Sequence, residues 1–175
     1  MTDDYISRVR AEARTAIHLL VKASGGEMTD RPLIRSEPHG RMIREPEPRA
    51  GIRAAMAFER EHHRRCLEYV RYAREDGLGW HAIGEIMGFA DHPQPGMTSA
   101  AEHAFRYAVP GHAAVDWFTW TCPSCGKLVR DYGPEQAPQD AEQGHAEGCQ
   151  RFAATIRAWD AQWGDEGDEG DGTDD

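Results

Sequence analysis

The sequence predicts a mainly α-helical chain, a helical bundle joined to a small metal-bound β-hairpin and helix. Three observations predict it. Apolar residues recur at three- and four-residue steps over residues 5–24 and 49–76. The run Val115–Thr121 is dense in aromatic and β-branched residues, as strands are. Directly after it stand Cys122-x-x-Cys125 and, nineteen residues on, His145-x-x-x-Cys149.

Taken in order, residues 1–30 hold the first helix. Tyr5, Val9, Ala13, Ile17, Leu20 and Val21 form its stripe, and Gly25-Gly26 stops it. Residues 31–48 read as an extended connector, because Pro32, Pro38, Pro46 and Pro48 oppose a regular helix or central strand. Four arginines (Arg31, Arg35, Arg41, Arg44), with Arg49 directly after, are interleaved there with three glutamates, so the connector is either a solvated linker or a basic arm for nucleic acid. Residues 49–111 form a helical domain. Its long helix carries Ile52, Met56, His63, Cys66/Leu67, Val70 and Ala73 as an apolar stripe, with Cys66 as a small buried hydrophobe. A short helix runs from Trp80 to Met87, and another from Ser99 to Val109, opened by the capping-box form Ser99-x-x-Glu102. Residues 112–163 form a ββα-like module: the strand Val115–Thr121, a return strand Lys127–Tyr132, and a helix from about Asp140 to Trp163. Residues 164–175, an acidic low-complexity run, are expected to be disordered.

The four cysteines are too few for a disulfide framework, and three of them share one pattern with a histidine. A C-x2-C turn followed by Gly126 lets two thiolates converge on one ion while backbone N–H groups face the sulfurs. His145 and Cys149 are four apart, so a helix would present them on one face. Cys122, Cys125, His145 and Cys149 are therefore expected to hold Zn2+ with four protein ligands, a closed and structural sphere with no place for a catalytic water. Gly144 and Gly148 weaken the start of the helix, so the metal is expected to help set it. The stripe continues through Phe152, Ile156, Trp159 and Trp163, a face that packs inward or serves a homodimer or protein partner.

The 175 residues are 39% apolar and 29% charged, with mean hydropathy −0.71. No apolar run approaches a membrane span, and the first residues show neither the basic nor the apolar region of a secretory signal. A reducing, cytoplasmic location is expected. The net charge of −10 is unevenly spread. Residues 164–175 hold seven acids and no base, residues 31–75 are net +4, and residues 76–121 are net −4.

Residues 73–89 contain the pattern G-L-x-W-x-x-I-G-x-x-x-G, with Gly84 placed for a close helix crossing and Gly88 for a turn. This stretch resembles the entry and first helix of the helix-turn-helix in sigma-factor-like and transposase-like bacterial regulators. The turn here, Ala90–Thr98, is longer than in those proteins. The whole arrangement, with its C-terminal Cys3His module, resembles proteins common in actinomycetes and their mobile elements. The resemblance implies a helix-turn-helix-like unit whose second helix, 99–109, enters the major groove of DNA.

No phosphate-binding loop, dinucleotide fingerprint or nucleophile elbow is present, so no enzyme activity is expected. Two functions remain. In the first, the chain is a DNA-binding regulatory protein, nucleoid-associated, contacting double-stranded DNA through Arg35, Arg41, Arg44, Ser99, His103, Arg106, Lys127 and Arg130. In the second, it is a protein-interaction adaptor using the zinc module and the aromatic face of its last helix. The placement of Arg41, Arg44, Arg53, Arg60, Arg64 and Arg106 separates them: a shared face with His103 favours DNA, and pairing with glutamates favours the adaptor.

Overall fold

The structure is a computed structural model that describes residues 3–34, 36, 39–91, 98–109 and 116–163; Arg35, most of the turn 92–97, the start of the expected strand at 115 and the acidic run 164–175 lie outside the described residues. It is mainly helical with two small sheets, and it divides into two compact units, residues 1–66 and 67–175. That division falls inside a helix and not at the boundaries expected near residues 48 and 111.

The first unit begins with α1 (Asp3–Ala23). The presumed connector is instead a β-hairpin. β1 (Met28–Pro32) pairs antiparallel with β2 (Met42–Pro46), in a register from Met28↔Pro46 to Pro32↔Met42. Pro32 and Pro46 each end a strand of a two-stranded sheet, where a missing N–H costs little. Arg41 precedes β2 and Arg44 lies within it opposite Asp30, both exposed.

α2 (Pro48–Glu75) starts where Pro48 occupies the first helical position. The Glu47 carboxylate caps it, accepting from the N–H groups of Arg49 (2.9 Å) and Ala50 (3.1 Å), which hold its pKa below the usual carboxylate value. The buried stripe of its first turns is Ala50 and Ala54, packed with Val21, Ile17 and Met28. Ile52 and Met56, which periodicity placed on the apolar stripe, are 65% and 47% exposed. Cys66 is half-buried.

The second unit takes the last turns of α2 and adds α3 (Trp80–Met87), α4 (Ala100–Ala108), and a sheet of β3 (Phe118–Thr121), β4 (Leu128–Asp131) and β5 (Glu142–Gln143) in the order β3-β4-β5. α5 (Pro138–Ala141) and α6 (Gln150–Trp163) complete it. Gly88 ends α3 in the left-handed region at φ +85°. Ser99 caps α4 as its spacing predicts, accepting from the N–H of Glu102 at 3.1 Å, and Asp91 accepts from the N–H of Ala100 at 2.8 Å. Trp80 is the hub between these layers, edge-on to Phe105 of α4 (5.2 Å) and to Phe118 of β3 (5.6 Å).

α3 and α4 meet at Gly84. A Cβ there would lie 2.2 Å from the carbonyl oxygen of Ala100. Gly84→Val therefore forces the two helices apart. The expected outcome is a destabilisation of at least about 2–3 kcal/mol, the upper range of overpacking, read as a lower urea midpoint.

Candidate metal centre

The β3–β4 turn supplies the first two ligands. Gly126 donates its N–H to the Cys122 carbonyl at 2.7 Å, and Cys122 donates its own to Lys127 at 2.9 Å. The N–H groups of Cys125 and Ser124 point at the Cys122 sulfur, and those of Ala146 and Lys127 at the Cys125 sulfur. The two thiols respond differently. Burial pushes Cys122 up from its ordinary value, whereas the N–H groups of Ala146 and Lys127 bring Cys125 down to about 6.

The second pair comes from a loop and not from a helix. The helix expected from Asp140 begins only at Gln150, because Glu142 and Gln143 pair with β4 (Asp131↔Glu142, Arg130↔Gln143). Gly144 then turns the chain at φ +104°, where a Cβ would stand 2.7 Å from the Leu128 carbonyl oxygen. His145 sits in the loop that follows. Cys149 sits at the entry to α6, its carbonyl accepting from the N–H of Ala153 at 3.0 Å. The i,i+4 helical face expected for these two ligands is thus replaced by a glycine-bounded loop that returns both to the turn.

The four ligand atoms of Cys122, Cys125, His145 and Cys149 all lie within 4.8 Å of one another. Cys122 Sγ and Cys149 Sγ are 3.7 Å apart, and Cys125 Sγ and His145 Nδ1 are 3.8 Å apart. A tetrahedral ion with Zn–S bonds of about 2.3 Å requires S···S edges of about 3.8 Å. The Cys122–Cys149 separation matches such an edge and is far too long for a disulfide, and the sulfur–nitrogen separation is of the same order. The residues form a compact potential metal site whose donor set fits a borderline-soft divalent ion.

The supports of this site were not visible in the sequence. His145 Nε2 lies 3.1 Å from Glu142 Oε2, which assigns the proton to Nε2 and leaves the Nδ1 lone pair facing the cysteines. The imidazole is buried, edge-on to Trp120 at 5.7 Å and stacked on Phe152 at 4.5 Å. The other oxygen of Glu142 accepts from Arg74 at 2.6 Å. Arg74 also donates to Asp131 (2.9 Å) and to the Leu78 carbonyl (2.8 Å). Its guanidinium lies 5.4 Å from the ring centre of Trp80 and 5.3 Å from that of Trp120. Asp131, 1% exposed, accepts from the indole N–H groups of Trp80 (3.1 Å) and Trp120 (3.3 Å) and from the Gly133 N–H (3.0 Å). One signal for Asp131 did exist. It has the strand parity of buried Val129, and a carboxylate at an inward position needs partners.

The expected nucleic-acid residues fare differently. Arg106 pairs with Glu102 on its own helix, and exposed His103 stacks on Phe89 at 5.4 Å. Ser99 uses its oxygen as the helix cap. Lys127 is exposed beside the cysteine turn, and Arg130 lies over Trp117 at 5.5 Å. In the first unit, Arg64 bonds Glu61 at 2.7 Å and, with Arg65, holds that carboxyl down to about 2. Of the aromatic face of α6, Phe152, Ile156 and Trp159 are half-buried, while the Trp163 side chain lies outside the described atoms.

Three outcomes are expected. Arg74→Ala strands Asp131 and Glu142 in the core and destabilises the chain by about 3–5 kcal/mol in urea unfolding. Glu142→Gln removes the charge that orients His145 and lowers zinc affinity about 10–100-fold in a chelator competition. The third is a pH profile. Because the Cys125 pKa is lowered on folding, its contribution is complete above its ordinary value of 9.0 and disappears as pH falls through about 6. Zinc affinity is therefore expected to fall more steeply below about pH 6, where protons also compete for Cys125.

No family model, curated protein or solved structure matches this chain, so the likeness of residues 73–89 to helix-turn-helix regulators gains no support from them.

Proposed function

We propose that the chain is a protein-interaction adaptor whose Cys122, Cys125, His145 and Cys149 hold a structural Zn2+. Four protein donors complete a tetrahedral sphere, the arrangement of a structural ion rather than one that activates water. The observation that carries the adaptor reading is that several arginines of the metal-bearing unit are directed at protein groups, Arg106, the one arginine of α4, at Glu102 among them. Reading base edges needs free bidentate donors. Other arginines of the same unit are directed at protein groups. Arg74 faces two carboxylates, Arg71 the Thr119 carbonyl at 3.1 Å, and Arg151 the Glu75 carbonyl at 2.7 Å.

A surface for a partner lies beside the metal ligands. A hollow of about 480 Å³ is lined by His145, Phe152, Ala153 and Ile156 together with the glycine-bounded ligand loop. It offers aromatic and aliphatic contacts on a base that the metal would fix, which suits a protein partner better than a phosphate backbone.

One observation favours the DNA reading. α3 and α4 cross tightly at Gly84 and leave His103 and Arg106 exposed, with Lys127 and Arg130 exposed in the same unit. A salt titration of the zinc-loaded chain against random and genomic duplex DNA separates the two. The adaptor reading expects no binding tighter than about 10⁻⁴ M at physiological salt. Tight, salt-steep binding whose slope drops when Arg35, Arg41 and Arg44 are changed together to Ala would transfer the function to DNA. For the zinc role, chelation or Cys149→Ser is expected to lower the melting temperature of the chain. Unchanged melting on chelation would remove the structural ion from the proposal.

A further inference from the structure

One large apolar residue that α2 leaves exposed, Ile52, belongs to a shaped surface. Because Ala50 and Ala54 supply the buried stripe, Ile52 is turned outward. With Ala13 and Ile17 of α1, Pro46 of β2, and Ala55, it lines a cleft of about 600 Å³ within the first unit. An exposed isoleucine beside a half-buried one in an open hollow is a surface suited to contact.

The charges at its rim are biased. Glu45 is already engaged, by His18 at 2.9 Å and by Arg14. Arg10 and Arg31 also line the cleft and are exposed, with no acidic partner among the described residues. The cleft thus has an apolar floor and two uncompensated cations. Residues 10 to 17 of α1 run about 10 Å along it at 1.5 Å per residue, the spacing of anchors at i, i+4 and i+7 on a helix.

We infer that this cleft binds an acidic amphipathic helix of a partner protein, its apolar anchors on Ile17 and Ile52 and its carboxylates on Arg10 and Arg31. The charge pattern selects this occupant. Two copies joined cleft to cleft would set Arg10 and Arg31 against their own likes. A nucleic-acid backbone would bury phosphates on Ile17, Ile52 and Pro46, which return no hydrogen bonds. The inference goes beyond the adaptor role of the metal-bearing unit and does not depend on it. The variants that test it lie in residues 1–66, whereas the metal and its supports lie in residues 67–175.

The probe is a fluorescein-labelled synthetic helix of sixteen residues, with Leu at i, i+3, i+4 and i+7 and Glu on its flanks, titrated into the full zinc-loaded chain. Binding is expected with a Kd below about 10⁻⁴ M. Ile52→Gln and the double variant Arg10→Glu/Arg31→Glu are each expected to weaken it at least tenfold. Both change exposed side chains, and circular dichroism is expected to show unchanged helix content. A control peptide with Lys in place of Glu is expected to bind at least tenfold more weakly. Absence of binding, equal binding of the Lys peptide, or insensitivity to both variants would overturn the inference. So would competition by anionic vesicles or duplex DNA that depends on Arg10 and Arg31, or a dimer in light scattering that Ile52→Gln dissolves.

Discussion

A buried guanidinium governs the second unit. Arg74 is 6% exposed and lies between two indole rings, an environment that is tolerable for a cation only if carboxylates meet it. Asp131 and Glu142 do so from adjacent strands, in register opposite each other. That requirement fixes the sheet. β5 is only two residues long, and its first residue adds an ion pair to the backbone pairing that holds it beside β4.

The metal ligands inherit this order. Glu142 has two oxygens and divides them, one to Arg74 and one to His145. The helix that bears Arg74 therefore sets, through a single carboxylate, which nitrogen of His145 is free to ligate. Within residues 67–175 the end of α2, α3 and the cysteine-bearing sheet share these contacts. Arg74 of α2 and Trp80 of α3 contact the same Asp131, which neighbours the residue that orients the ligand loop. The coupling runs in both directions. An ion at the cysteines would hold His145, and His145 would hold Glu142 against Arg74, so metal affinity and helix packing draw on one free energy.

The ligand set was legible in the sequence because its chemistry is carried by spacing alone. α3 was legible to the residue, since glycines bound it and tryptophan opens it. Other features were hidden for identifiable reasons. The hairpin of Met28–Pro32 and Met42–Pro46 was concealed by prolines that interrupt central strands but are harmless at strand ends. The inward face of α2 was concealed because its buried residues are alanines, while the larger Ile52 and Met56 dominate any periodicity count. The loop of His145 differs from the helix its spacing predicts because a four-residue spacing suits both. Only the pairing of Glu142 and Gln143 with β4, invisible locally, decides between them.

Charge segregation along the sequence carries a further lesson about arginine. The excess in residues 31–75 resembles an electrostatic footprint for nucleic acid when it is counted. In space, several of those residues have been assigned to other work. Arg74 neutralises buried carboxylates, Arg71 crosses the Phe118 ring at 5.6 Å to reach a strand carbonyl, and Arg64 and Arg65 share Glu61. An arginine paired with a carboxylate contributes little to the field that a phosphate backbone feels, because its partner's charge cancels its own at a distance, and one that donates to a carbonyl keeps its charge but has fewer donors to offer. What determines recognition is the remainder. In the first unit that remainder includes Arg10 and Arg31, and these two stand at the edge of an apolar hollow. A cation beside exposed isoleucine suits a ligand that is acidic and apolar at once, which is the combination proposed above for the partner helix.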